Sequence, residues 1–514
     1  MVGLRTVQYS GDGLAVDERN IPLLSIDYAQ GPTDLNFVFF YASQQGRRNR
    51  QRLPVSSVKA ACIKAAHQFP VLLGHFTRTS GEWSIVVDPH NINWPHITEA
   101  RTSCTIALLR RSVFAWPHWP RETRMPDLVT RDSQPMLGVH IVRYACGGVS
   151  VHAKVRHMCM DGSGVWRFFH VWAAICRAER KRGVVPVVSG VDCRRVLANV
   201  SGRGGCRGQL VHAEGRDQPI KSECTALVNY KDTDQLNAKD TNQLNAKDKE
   251  LADMEAAEYM DGVRRFLADA ACYDSHVANA SRDGNKMVRF AMSQDSLDQL
   301  KLYHGKLAAC SSRNMPYAHK HNISYVSTND LVCALFWRAI SRAHHDLYPT
   351  DPHTCMMLAC DVRHRTNIPR TYGGNASFPL LVHTTKDEMS QMSITDTAVR
   401  IRRYLNMVSS EFVRETLEFM ASEVSMHELI QMFRPGRAFF SASVISKISM
   451  FEMVDFGAGR PVHVDVPEYL TPGFSIWMPT RSVAQPVFVN LALTDSVFNV
   501  VRSDPEFRRF VDIS

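Results

Sequence analysis

A histidine standing where a β-strand gives way to a turn is well placed to take a proton from a substrate, and His157 stands at such a point. The stretch Val149-Ser-Val-His-Ala-Lys-Val-Arg-His157-Met-Cys159-Met-Asp161-Gly162 reads as a strand running into an H-x-x-x-D-G turn. Imidazole titrates near neutrality, which suits a general base. Asp161 lies four residues further along an extended turn, so it reads as a brace for the turn and not as a partner of the ring. Gly162 is expected to permit the close turn into the next helix. Cys159 invites a thiol-nucleophile reading. A residue two positions from the base on a turn has no reason to face it, and that reading is set aside.

The flanking segments supply the elements that must hold this turn. Residues 141–155 alternate loosely and are rich in valine, which suits a strand. Residues 163–180 place Val165, Trp166, Phe169, Trp172, Ala173 and Cys176 at helical spacing. Upstream, the pattern predicts a strand near 36–42, a helix near 56–69 and a Trp-containing hairpin near 82–87. These make residues 1–182 one α/β unit. Residues 183–285 differ in character. They carry the run Ser201-Gly-Arg-Gly-Gly-Cys-Arg-Gly208 and an imperfect duplication, Asp232-Thr-Asp-Gln-Leu-Asn-Ala-Lys239 followed by Asp240-Thr-Asn-Gln-Leu-Asn-Ala-Lys247. Such polar sequence buries too little surface to fold alone. It reads as an enlarged, partly disordered linker with a helix over 249–270. Residues 286–514 form a second α/β unit. Strands are expected at 288–292, 474–478 and 487–493, and a helix starts at Ser296 with a serine near its N-cap. Further helices are expected over 327–343 and 394–420, and a strand over 440–455 runs into a second motif.

That motif is Val454-Asp455-Phe456-Gly457-Ala458-Gly459. A kinase reading of Asp-Phe-Gly fails, because the Gly-rich loop, V-A-I-K lysine and H-R-D loop it requires are missing upstream. H-x-x-x-D-G in the middle of a chain and D-F-G-x-G near its end form the pair that marks the BAHD acyltransferases, and this chain resembles that family over nearly its whole length. Pro22-Leu-Leu-Ser-Ile-Asp27 with Phe37-Val-Phe-Phe-Tyr41 looks like the family's first strand region. Leu72-Leu-Gly-His-Phe76, the segment Ser327 to Arg338, and Asp361-Val-Arg363-His-Arg365 with Tyr372-Gly-Gly-Asn375 match further family segments in order.

The resemblance implies two similar chloramphenicol-acetyltransferase-like α/β domains with a tunnel between them, in a fungal-type member acting in secondary metabolism. It implies transfer of an acyl group from acyl-CoA to a hydroxyl or amine of a small-molecule acceptor. The attack is direct, in a ternary complex, with His157 as general base and no bound cofactor or metal. Asp161 would point away from the tunnel, and a buried carboxylate needs a cation; Arg363 is the expected partner and Arg365 the second choice. Asp455 and Gly457 would be structural, with Ala458 in the place of the family's tryptophan. Ile445-Ser446-Lys447 stands where plant members often carry Ser/Thr-Trp, so Ser446 becomes a candidate hydroxyl for the oxyanion or acceptor. Two other readings remain. One is a condensation-domain-like enzyme with a carrier-protein donor, although such enzymes usually begin the motif His-His where this chain has Arg156-His157. The other is a non-catalytic homologue.

Bulk properties are consistent with this. The 514 residues suffice for two cores, and 45% hydrophobic with 22% charged content is that of a globular protein. No run of 18 apolar residues marks a membrane span. The thirteen scattered cysteines contain no C-x-x-C pair, which fits reduced thiols. With no signal-peptide core at the N-terminus and no Ser-Lys-Leu at the C-terminus, a cytoplasmic location is expected, and the family resemblance implies a monomer. The net charge of +9 comes from dispersed basic residues, which argues against nucleic acid and for a local basic mouth receiving the CoA phosphates.

Overall fold

The computed structural model describes residues 5–7, 16–30, 33–43, 53–79, 82–126, 135–181, 246–268, 284–310, 323, 325–366, 368–423, 437–446, 448–469, 471–482 and 485–513. The Gly/Arg run and all but the last two residues of the duplication lie outside them.

In the first half the strands are β1 (Arg5–Val7), β2 (Arg19–Pro22), β3 (Asp34–Tyr41), β4 (His75–Thr79), β5 (Glu82–Val87), β6 (His96–Thr102), β7 (Leu137–Tyr144) and β8 (Val149–Arg156). A small sheet runs β2-β5-β4, and a larger one runs β1-β6-β7-β8-β3. The apolar run in β3 has a direct cause. Phe37, Phe39 and Tyr41 face the helix-covered core, while Val38 and Phe40 face a second cluster with Phe114 and Tyr144. A strand buried on both faces loses its alternation. Helices α1 (Val55–His67) and α2 (Gly162–Lys181) cover the first face, joined where Trp172 Nε1 donates to the Val58 carbonyl at 2.7 Å. The single strand expected over 141–155 is in fact the antiparallel pair β7 and β8. The chain turns at 145–148, where Gly147 takes a φ of 80°.

In the second half the strands are β9 (Asn285–Met292), β10 (His353–Asp361), β11 (Ser377–Thr385), β12 (Ala438–Val444), β13 (His463–Asp465), β14 (Phe474–Met478), β15 (Val487–Thr494) and β16 (Asp512–Ile513). All but β13 form one sheet, in the order β11-β10-β12-β14-β15-β9-β16. Its helices are α3 (Ala246–Ala268), α4 (Gln294–Cys310), α5 (Thr328–Leu347), α6 (Ile394–Met407) and α7 (Ser410–Glu423). Helix α3, placed by sequence in the linker, packs into this second core through Tyr259 and Val263. Its Gly262 lies so close to the His383 ring that a Cβ there would meet the ring at 1.7 Å. Helix α4 begins before Ser296, and Ser293 Oγ accepts the Ser296 N–H. The helix expected over 394–420 is two helices, because Ser409 caps a new one by accepting the Phe412 N–H. The strand expected over 440–455 stops at Val444, and a short helix, Met450–Met453, precedes the D-F-G turn.

The two units interlock. Strand β13 leaves the second sheet's sequence neighbourhood and pairs antiparallel with β3, Asp465 opposite Val38. Met450, Phe451, Val454 and Phe456 complete the first core, while Leu24 and Ile26 belong to the second.

Candidate functional site

Strand β8 ends at Arg156, and His157 begins the turn. Its N–H donates to the Thr33 carbonyl and its carbonyl accepts from Asn375 Nδ2, both at 3.0 Å. The residue is half-buried, with Nδ1 closed to solvent. Burial is the largest influence on the ring and lowers its pKa. The main-chain carbonyl of His157, the Asp161 carboxylate, the Asn375 side chain and Asp34 oppose this, yet the net direction stays downward. The resting imidazole is therefore neutral at physiological pH, the state a base requires.

Asp161 is buried and fully engaged elsewhere. Its carbonyl accepts the first intrahelical bond of α2 from Val165 N–H, and Oδ1 accepts from Gly164 N–H at 2.9 Å, so it is the N-cap of that helix. Oδ2 accepts from Ala376 N–H at 2.8 Å. Arg363 grips both oxygens, Nη1 to Oδ2 at 2.9 Å and Nη2 to Oδ1 at 3.0 Å. Both side chains of this bidentate pair are 2% exposed. Burial raises the carboxyl's pKa, but Arg363 and the two N–H donors more than offset it and hold Asp161 below the usual carboxylate range. Arg363 also donates to the carbonyls of Tyr372 and Gly374 and to Asp361. Arg365 does not join this pair; it donates to the Leu405 carbonyl at the end of α6.

The glycine that the junction needs is Gly164, not Gly162. A Cβ on Gly162 would meet nothing within 4 Å, whereas one on Gly164 would lie 2.2 Å from the Gly373 carbonyl oxygen. The start of α2 is thus pressed against the second unit's 372–375 loop, and Arg167 on the same helix donates to the Thr371 carbonyl. Cys159 is fully buried in the first core with Sγ against Met136 Sδ at 3.4 Å, away from any nucleophile's position. Asn375, part of the fully buried junction, rules out a glycan at Asn375-Ala-Ser377 on the folded chain.

The D-F-G-x-G turn closes on itself. Asp455 Oδ1 accepts from Gly457 N–H at 2.7 Å and Gly459 N–H at 3.0 Å, and both glycines hold left-handed φ, 90° and 93°. Phe456 packs edge-on to Trp172 at 4.8 Å, and Arg177 donates to the Asp455 carbonyl. The turn therefore docks near residues 176–177 of α2, about 20 Å along the helix from its catalytic-motif end at 1.5 Å per residue. Ser446 lies in the turn after β12, half-buried, and no hydrogen bond among the described residues joins it to His157. Among the described residues no group of three His, Cys, Asp or Glu side chains is placed to hold a metal ion, and no helix is long and apolar enough to cross a membrane.

Sequence reasoning paired Asp161 with Arg363, as the structure does, but did not single out Asp27 or Gly164. Asp27 is buried beneath the site, where Oδ1 accepts from Asn375 Nδ2 at 2.9 Å. A lone acidic residue in an apolar segment, Leu-Leu-Ser-Ile-Asp27, was the available signal.

Comparison with known proteins bears on the whole arrangement. The Transferase family's sequence profile matches residues 14–508. Anthranilate N-benzoyltransferase protein 1 of Dianthus caryophyllus is 20% identical over 359 residues, covering 68% of this chain and 63% of that protein. Trichothecene 3-O-acetyltransferase of Saccharomyces cerevisiae is 27% identical over 197 residues, 36% of this chain and 40% of that protein. The matches thus span under two thirds of these relatives' lengths. The crystal structure of F. sporotrichioides TRI101 complexed with coenzyme A and T-2 superposes with a TM-score of 0.63 at 16% identity, covering 96% of this chain and 99% of that one. That likeness establishes a shared two-domain fold.

Proposed function

This chain belongs to the Transferase family, the BAHD acyltransferases, and we propose that it carries an acyl group from an acyl-CoA thioester to a hydroxyl or amine of a small-molecule acceptor, with His157 as general base. The observation that carries this reading is a neutral, burial-shifted imidazole at the junction of two interlocked units, beside an aspartate whose oxygens are all taken.

In this reading the acceptor donates its proton to the ring as its oxygen or nitrogen attacks the thioester carbonyl carbon. The tetrahedral oxyanion collapses, the carbon–sulfur bond breaks, and the thiolate of CoA takes the proton back from the imidazolium. Base assistance of this kind supplies about 10²–10⁴ in rate. Asp161 and Arg363 act at a distance from the reacting atoms. They cap α2 and clamp the second unit's 372–375 loop onto it, which fixes the turn that presents His157. Ser446 is the hydroxyl candidate for the developing oxyanion. Acyl-CoA is a co-substrate here, and its phosphates would meet basic side chains at the mouth between the units.

Melting curves with acetyl-, malonyl-, medium-chain, long-chain and aromatic acyl-CoAs test the donor class without knowledge of the acceptor. A thioester that binds the folded state adds about 2.7 kcal/mol of stability at a hundredfold excess over its Kd. At least one should raise the melting temperature. No response to any thioester or to CoA would refute the CoA-donor reading.

A further inference from the structure

Cys62, Cys159, Cys176, Cys333, Cys355 and Cys360 are buried, whereas Cys104 and Cys146 are partly exposed. These two are neighbours in space. Strand β6 pairs with β7 in parallel, and their last register pair is Thr102 opposite Tyr144. Two residues beyond it on each chain stand Cys104 and Cys146. The chains stay together past the ladder, because Ala145 N–H donates to the Cys104 carbonyl at 3.0 Å. Gly148 presses the same turn onto this segment: a Cβ there would meet Ile106 Cγ1 at 2.5 Å and the Tyr41 carbonyl oxygen at 2.9 Å. Both thiols touch one peptide group. Ile106 N–H donates to Cys146 Sγ at 3.4 Å, and Cys104 Sγ donates to the Thr105 carbonyl at 3.6 Å. Neighbouring strands lie about 4.8 Å apart, within the Cα separation of about 4.4–6.8 Å that a disulfide bridges.

We propose that Cys104 and Cys146 are a modification site, a thiol pair that small disulfides of the glutathione class oxidise reversibly to an intrachain disulfide. The chemistry is two thiol–disulfide exchanges. Cys146 loses its proton and its sulfur attacks one sulfur of the oxidant. The oxidant's S–S bond breaks, and one small thiol leaves with that proton. Cys104 then loses its proton and attacks Cys146 Sγ, the mixed disulfide breaks, and a second small thiol leaves. The protein gives up two electrons and two protons, and the oxidant gains both. Cys146 attacks first because its sulfur meets an N–H donor. Cys104 gives its S–H to a carbonyl, and burial foremost holds its pKa up, with Cys146 adding to the rise. The bond ties the turn from which β8 runs toward His157 to the segment that follows β6. It closes a loop of about forty residues and so constrains the unfolded chain.

The test uses neither acyl donor nor acceptor, so it stands apart from the acyl-transfer reading. Reduced full-length protein is treated with oxidised glutathione, and its peptides are mapped by mass spectrometry without reduction. The expected result is a peptide carrying Cys104 joined to one carrying Cys146, with two hydrogens lost. The melting temperature rises by about 4–16 °C and returns when dithiothreitol is added. In Cys104→Ser the resolving thiol is gone, so glutathione stays on Cys146 and the rise is absent. Glutathione retained on Cys146 of the wild type overturns the proposal. So does a Cys146 that stays a free thiol, or a bond from either cysteine to a different one. A Cys104–Cys146 bond that leaves the melting temperature unchanged or lowers it overturns the proposal equally, because the folded geometry would then not favour that bond.

Discussion

Replacing Arg363 with alanine removes the cation from a carboxylate that has no access to water. Asp161 keeps only two of its four side-chain hydrogen bonds, from Gly164 N–H and Ala376 N–H. The carbonyls of Tyr372 and Gly374 lose a donor at the same time. Breaking one side of a buried pair costs about 3–5 kcal/mol, since the remaining charge is left uncompensated. For a cooperative unit of ordinary domain size this corresponds to a fall of about 6–20 °C in melting temperature. The effect carries a pH signature. In the wild type Arg363 holds the carboxyl of Asp161 below its ordinary value, so that stabilisation is complete above the unfolded carboxylate pKa of about 3.9 and is lost as pH falls through the lower folded value. The gap between wild type and variant should therefore be constant near neutrality and narrow in acid. Differential scanning calorimetry from neutral pH into acid reads both features. A variant melting within about 2 °C of wild type, or a gap that widens on acidification, would refute the account of this pair.

The remaining expectations concern the base and the helix start. Burial lowers the His157 pKa, so the neutral ring persists below the ordinary imidazole value of about 6.5; kcat/KM should be flat on the acid side down to that point and fall only beneath it, and an acid limb centred above it contradicts the environment described. Gly164→Ala should destabilise the chain, because its Cβ would press on the Gly373 backbone, whereas Gly162→Ala at an open helical position should be neutral or gain up to about 1 kcal/mol. Equal melting temperatures for the two variants would remove the distinction.

What sequence made legible was local. The strand-to-turn-to-helix order around His157 followed from a valine-rich run and helical spacing, and the structure places those elements at β8 and α2. Arg363 was reachable because a buried carboxylate demands a cation. The misreadings share a cause: apolar periodicity continues across a break that only small residues mark. Gly147-Gly148 divides β7 from β8, and Ser409 divides α6 from α7. Both were readable as turn and cap signals. Other features were out of reach in principle. Asn375 and His157 are 218 residues apart, and Asp27 and Asn375 are 348 apart. The return of β13 to the first sheet is a tertiary choice that three residues of sequence cannot announce. The need for Gly164 over Gly162 depends on where a loop of the other unit comes to rest.

The most direct test of the central claim is acyl-CoA turnover by His157→Ala beside CoA binding by the same variant. With the base removed and the Asp161–Arg363 clamp intact, kcat should fall about 10²–10⁴-fold while CoA affinity stays within about threefold of wild type. Turnover preserved within about threefold would show that the imidazole does not take the acceptor's proton, and the proposed chemistry would fall with it.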